Sequence, residues 1–167
     1  VKATKWWFDE MKWELIFLKT RQEIQGIDLD VREAYNHSVS GLTALTLKRK
    51  NFFLDGLDFD FDIGYIIGRY GLNDKASSRY DWDGNKLPAV SPYGGEQNNF
   101  PSDGRNRSNE LTSKLNLGYT IDKHHGINLN VYFDRNSLHP NDSLMDKALG
   151  FQSNFPSKMK TLTTGLS

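Results

Sequence analysis

Cysteine is absent from this sequence, which rules out disulfides, thiolate catalysis and cysteine-based zinc sites together and leaves the redox compartment open. Net charge is absent too. The 21 basic and 21 acidic residues cancel, no long Lys/Arg run occurs, and nucleic acid is not expected as a partner. No window approaches the roughly 20 consecutive apolar residues that a membrane helix requires. There is no Gly-rich phosphate loop after a strand, no G-x-S-x-G and no H-E-x-x-H, so nucleophilic, dinucleotide and zinc-protease chemistry lack a foothold. His37, His124, His125 and His139 do not form a metal or catalytic set, because His124 and His125 share a short turn and diverge. The chain is not expected to be an enzyme or to carry a cofactor or metal.

What the sequence does contain is alternation. In Leu57-Asp58-Phe59-Asp60-Phe61-Asp62-Ile63-Gly64-Tyr65-Ile66-Ile67 the odd positions are all apolar or aromatic and the even positions open with three aspartates. The same split recurs in Leu115–Ile121 and Ile127–Asp134 across a short connection, the signature of a hairpin with one apolar face. A mean hydropathy of -0.63 does not oppose a membrane location, since a barrel wall needs only half of each strand to be apolar. Six strands are expected, at about 11–21, 42–50, 57–69, 111–121, 127–136 and 159–167. Between them, short connections (51–56, 122–126) alternate with long polar ones (22–41, 70–110, 137–158). The fold class this predicts is all-β: an antiparallel up-and-down transmembrane β-barrel wall segment, with short periplasmic turns and long extracellular loops. In the first strand Met11, Trp13, Leu15 and Phe17 share the apolar parity, and Ile16 and Leu18 blur the other one.

Trp6, Trp7, Phe8, Phe52 and Phe53 fall at the expected periplasmic ends, where amphipathic rings favour the headgroup zone; packing a soluble core is the other reading. Six strands cannot close, and an open sheet with an oily face leaves both edges unpaired. Residues 1–167 are therefore expected to be part of a single larger barrel domain, cut at both ends, with the remaining strands elsewhere in a parent chain or partner.

Leu115-Asn116-Leu117-Gly118-Tyr119-Thr120-Ile121-Asp122-Lys123-His124-His125-Gly126-Ile127-Asn128-Leu129-Asn130 resembles a wall hairpin of TonB-dependent outer-membrane receptors, particularly those of Bacteroidetes-type bacteria. His139-Pro140-Asn141-Asp142-Ser143-Leu144 and Tyr80-Asp81-Trp82-Asp83-Gly84-Asn85 resemble their loops. The resemblance covers nearly the whole chain and is one of rhythm. It implies a mid-barrel segment of a 22-stranded importer in the outer membrane of a Gram-negative bacterium. Such importers take up scarce nutrients such as metal chelates, vitamins, glycans or peptides. The implied partners are the remainder of the barrel and its plug, the TonB energy-coupling complex, the lipid bilayer and, in the nutrient-import branch, a surface lipoprotein lid. No plug and no TonB box are found in the sequence.

Asp58, Asp60 and Asp62 line one strand face about 7 Å apart. A cation track and ordinary hydrated lumen residues are the two readings. A turn centred near Gly56 puts Lys48 and Thr46 across from this row, with Lys48 near Asp60 or a diagonal neighbour. Pairing Thr120 with Asn128 would set Lys114 opposite Asp134, also in the lumen. Asp81-Trp82-Asp83-Gly84-Asn85 opens like a calcium loop but has Lys86 and Pro92 where such a loop needs Gly and Glu, so a simple turn is expected. Tyr80, Trp82, Tyr93 and Phe100 punctuate the longest loop, as ligand-stacking surfaces or as packing for a lid. Besides the importer, two other classes fit the pattern: a soluble β-sandwich binding module, and an outer-membrane barrel of non-transport role, an adhesin or enzyme.

Overall fold

The computed structural model describes residues 1–4, 7–97 and 99–167, the side chains of Ala3 and Thr4 excepted. Trp6 of the expected aromatic cluster lies outside the described residues. The elements run β1 (Lys2–Thr4), β2 (Glu10–Glu23), β3 (Tyr35–Arg49), β4 (Leu57–Asp74), β5 (Ser78–Tyr80), β6 (Lys86–Pro88), β7 (Ser102–Asp103), β8 (Asn106–Thr120), β9 (Gly126–His139), α1 (Ser143–Leu149) and β10 (Ser157–Leu166). The main sheet is antiparallel in the order β1-β2-β3-β4-β8-β9-β10, and β7 pairs with the C-terminal end of β4. This is an up-and-down meander whose two ends do not meet. No described helix is long and apolar enough to cross a membrane, which says nothing of strands.

All six expected strands form, and most run past the apolar stretch that announced them. β3 begins at Tyr35 and β8 at Asn106, earlier than the expected 42 and 111. Backbone pairing there continues through polar and small residues such as Asn36, His37, Ser38 and Ser108, because a ladder needs only N–H and C=O groups on both sides. The short and long connections alternate as expected. The long ones, however, carry structure of their own: the β5–β6 hairpin and β7 in one, α1 in another.

Register places the odd residues of β2, β3, β4, β8 and β9 on one face, together with the even residues of β10. Leu47, Phe61, Leu115 and Val131 form a continuous cross-strand row, as do Leu45, Ile63, Ser113 and Phe133. None of the described elements packs over this face. Leu15 is 71 % exposed, Phe17 70 % and Leu162 67 %, and the only buried hydrophobic residues described are Ala34 and Ala76, both in loops. The described residues form almost no apolar core.

Aromatic rings gather at the short-turn end. Phe52 lies 4.7 Å from Phe59 and 4.2 Å from Phe53, with Phe8 6.4 Å from Phe52. In this turn Asn51 accepts from the Gly56 N–H at 2.7 Å, and Phe53 sits at φ 62, a costly conformation for a bulky residue, which leaves its ring exposed. Trp7 is exposed too, and its carbonyl accepts from the Arg49 guanidinium.

Candidate functional site

The even face carries the polar side chains. Lys48 stands directly opposite Asp60, Nζ to Oδ2 3.2 Å, and Thr46 opposite Asp62, donating at 2.6 Å. Strand parity and the short turn at Gly56 are enough to produce both pairs, and the expected register is the observed one. Asp58, Asp60, Lys48, Glu10, Asn116 and Asn128 surround a recess of about 560 Å³ near the short-turn end. Higher on the same face the polarity lapses, where Ile16, Leu42 and Ile66 form a cross-strand row.

The hairpin β8–β9 departs from the expected register by two residues. Gly118, not Thr120, pairs with Asn128, so Lys114 lies between Asp62 and Tyr132, and Asp134 faces Thr112 and Thr161. Lys114 is therefore not opposite Asp134. The cause is a tighter turn. The Asp122 carboxylate accepts from the His124 and His125 amides at 2.7 and 2.9 Å, and its pKa is held below the ordinary value mainly by the His124 amide and then by the His125 ring. The Ile121 N–H closes onto the His125 carbonyl at 2.9 Å, and pairing resumes at Thr120–Gly126. A slip of two preserves parity, so Lys114 and Asp134 stay on the even face with Asp58, Asp60 and Asp62.

At the long-loop end, buried carboxylates join segments far apart in sequence. Glu96, 1 % exposed, accepts from the backbone N–H groups of Arg32, Glu33 and Ala34 at 3.1, 2.5 and 2.5 Å. Asp74 accepts from the Glu96 and Gln97 amides at 2.7 and 3.0 Å. Asp142 takes the Ser102 hydroxyl at 2.5 Å and the Asp103 amide at 3.0 Å while capping α1 through Met145 N–H at 3.0 Å. Gly71 supports this assembly, since a Cβ there would lie 1.8 Å from the Gly104 carbonyl oxygen. These groups hold the three long connections as one body.

The four loop aromatics are not stacked on one another. The Tyr80 ring carries the Arg32 guanidinium at 3.8 Å, and Trp82 donates its indole N–H to the Ile27 carbonyl at 3.0 Å, so both hold the first long connection. Tyr93 meets Lys147 of α1 at 5.0 Å, and Phe100 is partly exposed beside the Gly95 turn. Trp82 is the most open of the four, at 62 %. Asp81 closes the β5–β6 turn: it accepts from the Asn85 backbone and side-chain amides at 2.7 and 2.9 Å, which lowers its pKa, with Gly84 at φ 84. Sequence reasoning missed Glu96, Asp74 and Asp142 as anchors. For Asp142 a signal was present, in Asp142-Ser143 before the apolar positions of a short helix and Gly150 after it. No protein-family model, curated protein or solved structure matches the chain.

Proposed function

We propose that this chain forms wall and outer loops of a TonB-dependent importer in the outer membrane of a Gram-negative bacterium. The observation that carries the reading is the odd face, which bears an apolar stretch on each of β2, β3, β4, β8 and β9 and has no second layer over it among the described residues. From Leu57 to Ile67 the apolar run extends about 34 Å along the strand at ~3.4 Å per residue. At a tilt of about 45° that spans ~25 Å, the height of an outer-membrane hydrocarbon band. A soluble sandwich would need a second sheet over this face, and the only other sheet among the described residues is the two-stranded β5–β6.

On this reading the even face looks into a hydrated lumen, where Lys48, Asp58, Asp60, Asp62, Lys114 and Asp134 keep the passage polar. The outer loops receive the ligand, with Trp82, Tyr93 and Phe100 offering partly exposed rings and Tyr80 holding the loop base. The clamped loops favour a preformed mouth over a floppy one, which lowers the ordering cost of capture. The edge of β2 beyond the short β1, and the free edge of β10, pair with the remainder of the barrel. The plug, the TonB energy-coupling complex and a surface lipoprotein lid complete the system. Energy coupling is not supplied by these residues.

The test is nutritional. A strain lacking the protein should lose growth on one class of limiting nutrient among metal chelates, vitamins, glycans and peptides. Collapse of the inner-membrane proton gradient should stop uptake of that nutrient in the parent strain. Undiminished growth across all four classes contradicts an importer and favours an adhesin or enzyme.

A further inference from the structure

Just outside the apolar run, the odd face turns basic. Phe17 is followed at the next odd position by Lys19, Ile67 by Arg69, Phe133 by Arg135, and on β10 Leu162 by Lys160 and Lys158 toward the same end; on β8 Arg107 follows Asn109. All of these cations are exposed, and none forms an ion pair within the described residues. Two sets are placed against each other by register: Arg69 lies directly opposite Arg107, and Arg135 directly opposite Lys160. Like charges facing across a ladder are destabilising, so this arrangement calls for an anion from outside the chain.

The acids are elsewhere. On the even face Glu14, Asp58, Asp60, Asp62, Glu110 and Asp134 collect, whereas the odd face has Glu23 and Asp103 only farther out. Asp103 is already taken by Lys75 at 2.9 Å and Arg105 at 3.0 Å. Arg21 is also engaged, over the Tyr35 ring at 3.8 Å. Between the cations a notch of about 220 Å³ opens, lined by Tyr65, Asn109, Leu111, Arg135 and Ser137. Tyr65 donates to Asn109 there at 3.2 Å.

We propose that this band binds the phosphate headgroups of anionic lipids in the outer leaflet, with the acyl chains lying on the apolar run below. The inference rests on the preceding reading that the odd face meets lipid. A free anion would have no use for the adjoining oil, and a protein partner would not need cations spread across five strands at one end of it. Arginine suits the role, since its planar fork takes phosphate oxygens in pairs.

The native protein, extracted in mild detergent and stripped of lipid, is returned to bilayers of phosphatidylcholine alone and to bilayers that also contain lipid A. The lipid retained on re-extraction is then measured by mass spectrometry. Lipid A should be retained in preference. R69Q/R107Q should reduce that retention by about 25-fold, from ~fivefold per surface cation, while K123Q in the turn at the opposite end leaves it unchanged. Equal retention of both lipids by the unaltered protein overturns the proposal while leaving the membrane reading intact, as does full displacement by inorganic phosphate. Failure to enter either bilayer removes both.

Discussion

Glu96 shows how much a single side chain can hold at the long-loop end of this sheet. Its buried carboxylate takes three successive amides from a segment more than sixty residues earlier. Glu96→Ala leaves those N–H groups without partners, a loss of order 1–3 kcal/mol for each group that water does not reach. Hydrogen exchange should show the Arg32–Ala34 amides losing protection while the β3–β4 ladder keeps its own. Glu96→Gln, which retains one acceptor oxygen, should fall between. Unchanged protection in the alanine variant would mean that the two loops are held together by something else. No periodicity in the sequence could have pointed to Glu96, because its role exists only once two distant loops meet. Lys48 and Asp60 were legible for the opposite reason, since a short turn and strict parity fix which residues face each other.

At the scale of elements, legibility followed the same division. Strand parity survived everywhere, because a face that must be apolar tolerates no single-residue slip. The two-residue slip in β8–β9 escaped notice because it leaves both faces as they were, and only the Asp122 turn decides it. The ends of β3 and β8 were hidden since their side chains there carry no oil. The connections are small elements pinned by carboxylates, and this predicts a pH response. Asp103 has its pKa lowered first by Lys75, Asp146 by the Ser153 hydroxyl and Asp81 by the Asn85 side chain. A lowered carboxylate stabilises above its unfolded value and loses that contribution as pH falls through the folded one. Between neutrality and about pH 4 the loops should therefore hold, and below about pH 4 they should loosen. Limited proteolysis with an acid-active protease should cut within 75–105 and 140–156 at pH 3 and spare the strands. Identical cleavage at pH 3 and pH 5 would argue against these anchors.

At the scale of the whole molecule, the described residues form a sheet with two unlike faces, two open edges and almost no apolar core. Leu57, Phe59, Phe61, Leu115, Leu117, Leu129 and Val131 share one side, Asp58, Asp60, Asp62, Lys48, Lys114 and Asn116 the other, and neither is covered by a layer of this chain. An exposed apolar face of this extent drives association in water. In a bilayer the same face is matched to its solvent. The absence of cysteine makes the distinction directly measurable, because each introduced thiol is the only one these residues contribute. Single cysteines placed in turn at 57 to 63 and 115 to 117 are exposed, in intact outer membranes, to a membrane-impermeant maleimide. Even positions should label and odd positions should resist until detergent is added, giving an alternation of period two. Labelling of odd and even positions alike, or odd positions that stay protected in detergent because protein covers them, would contradict the membrane wall.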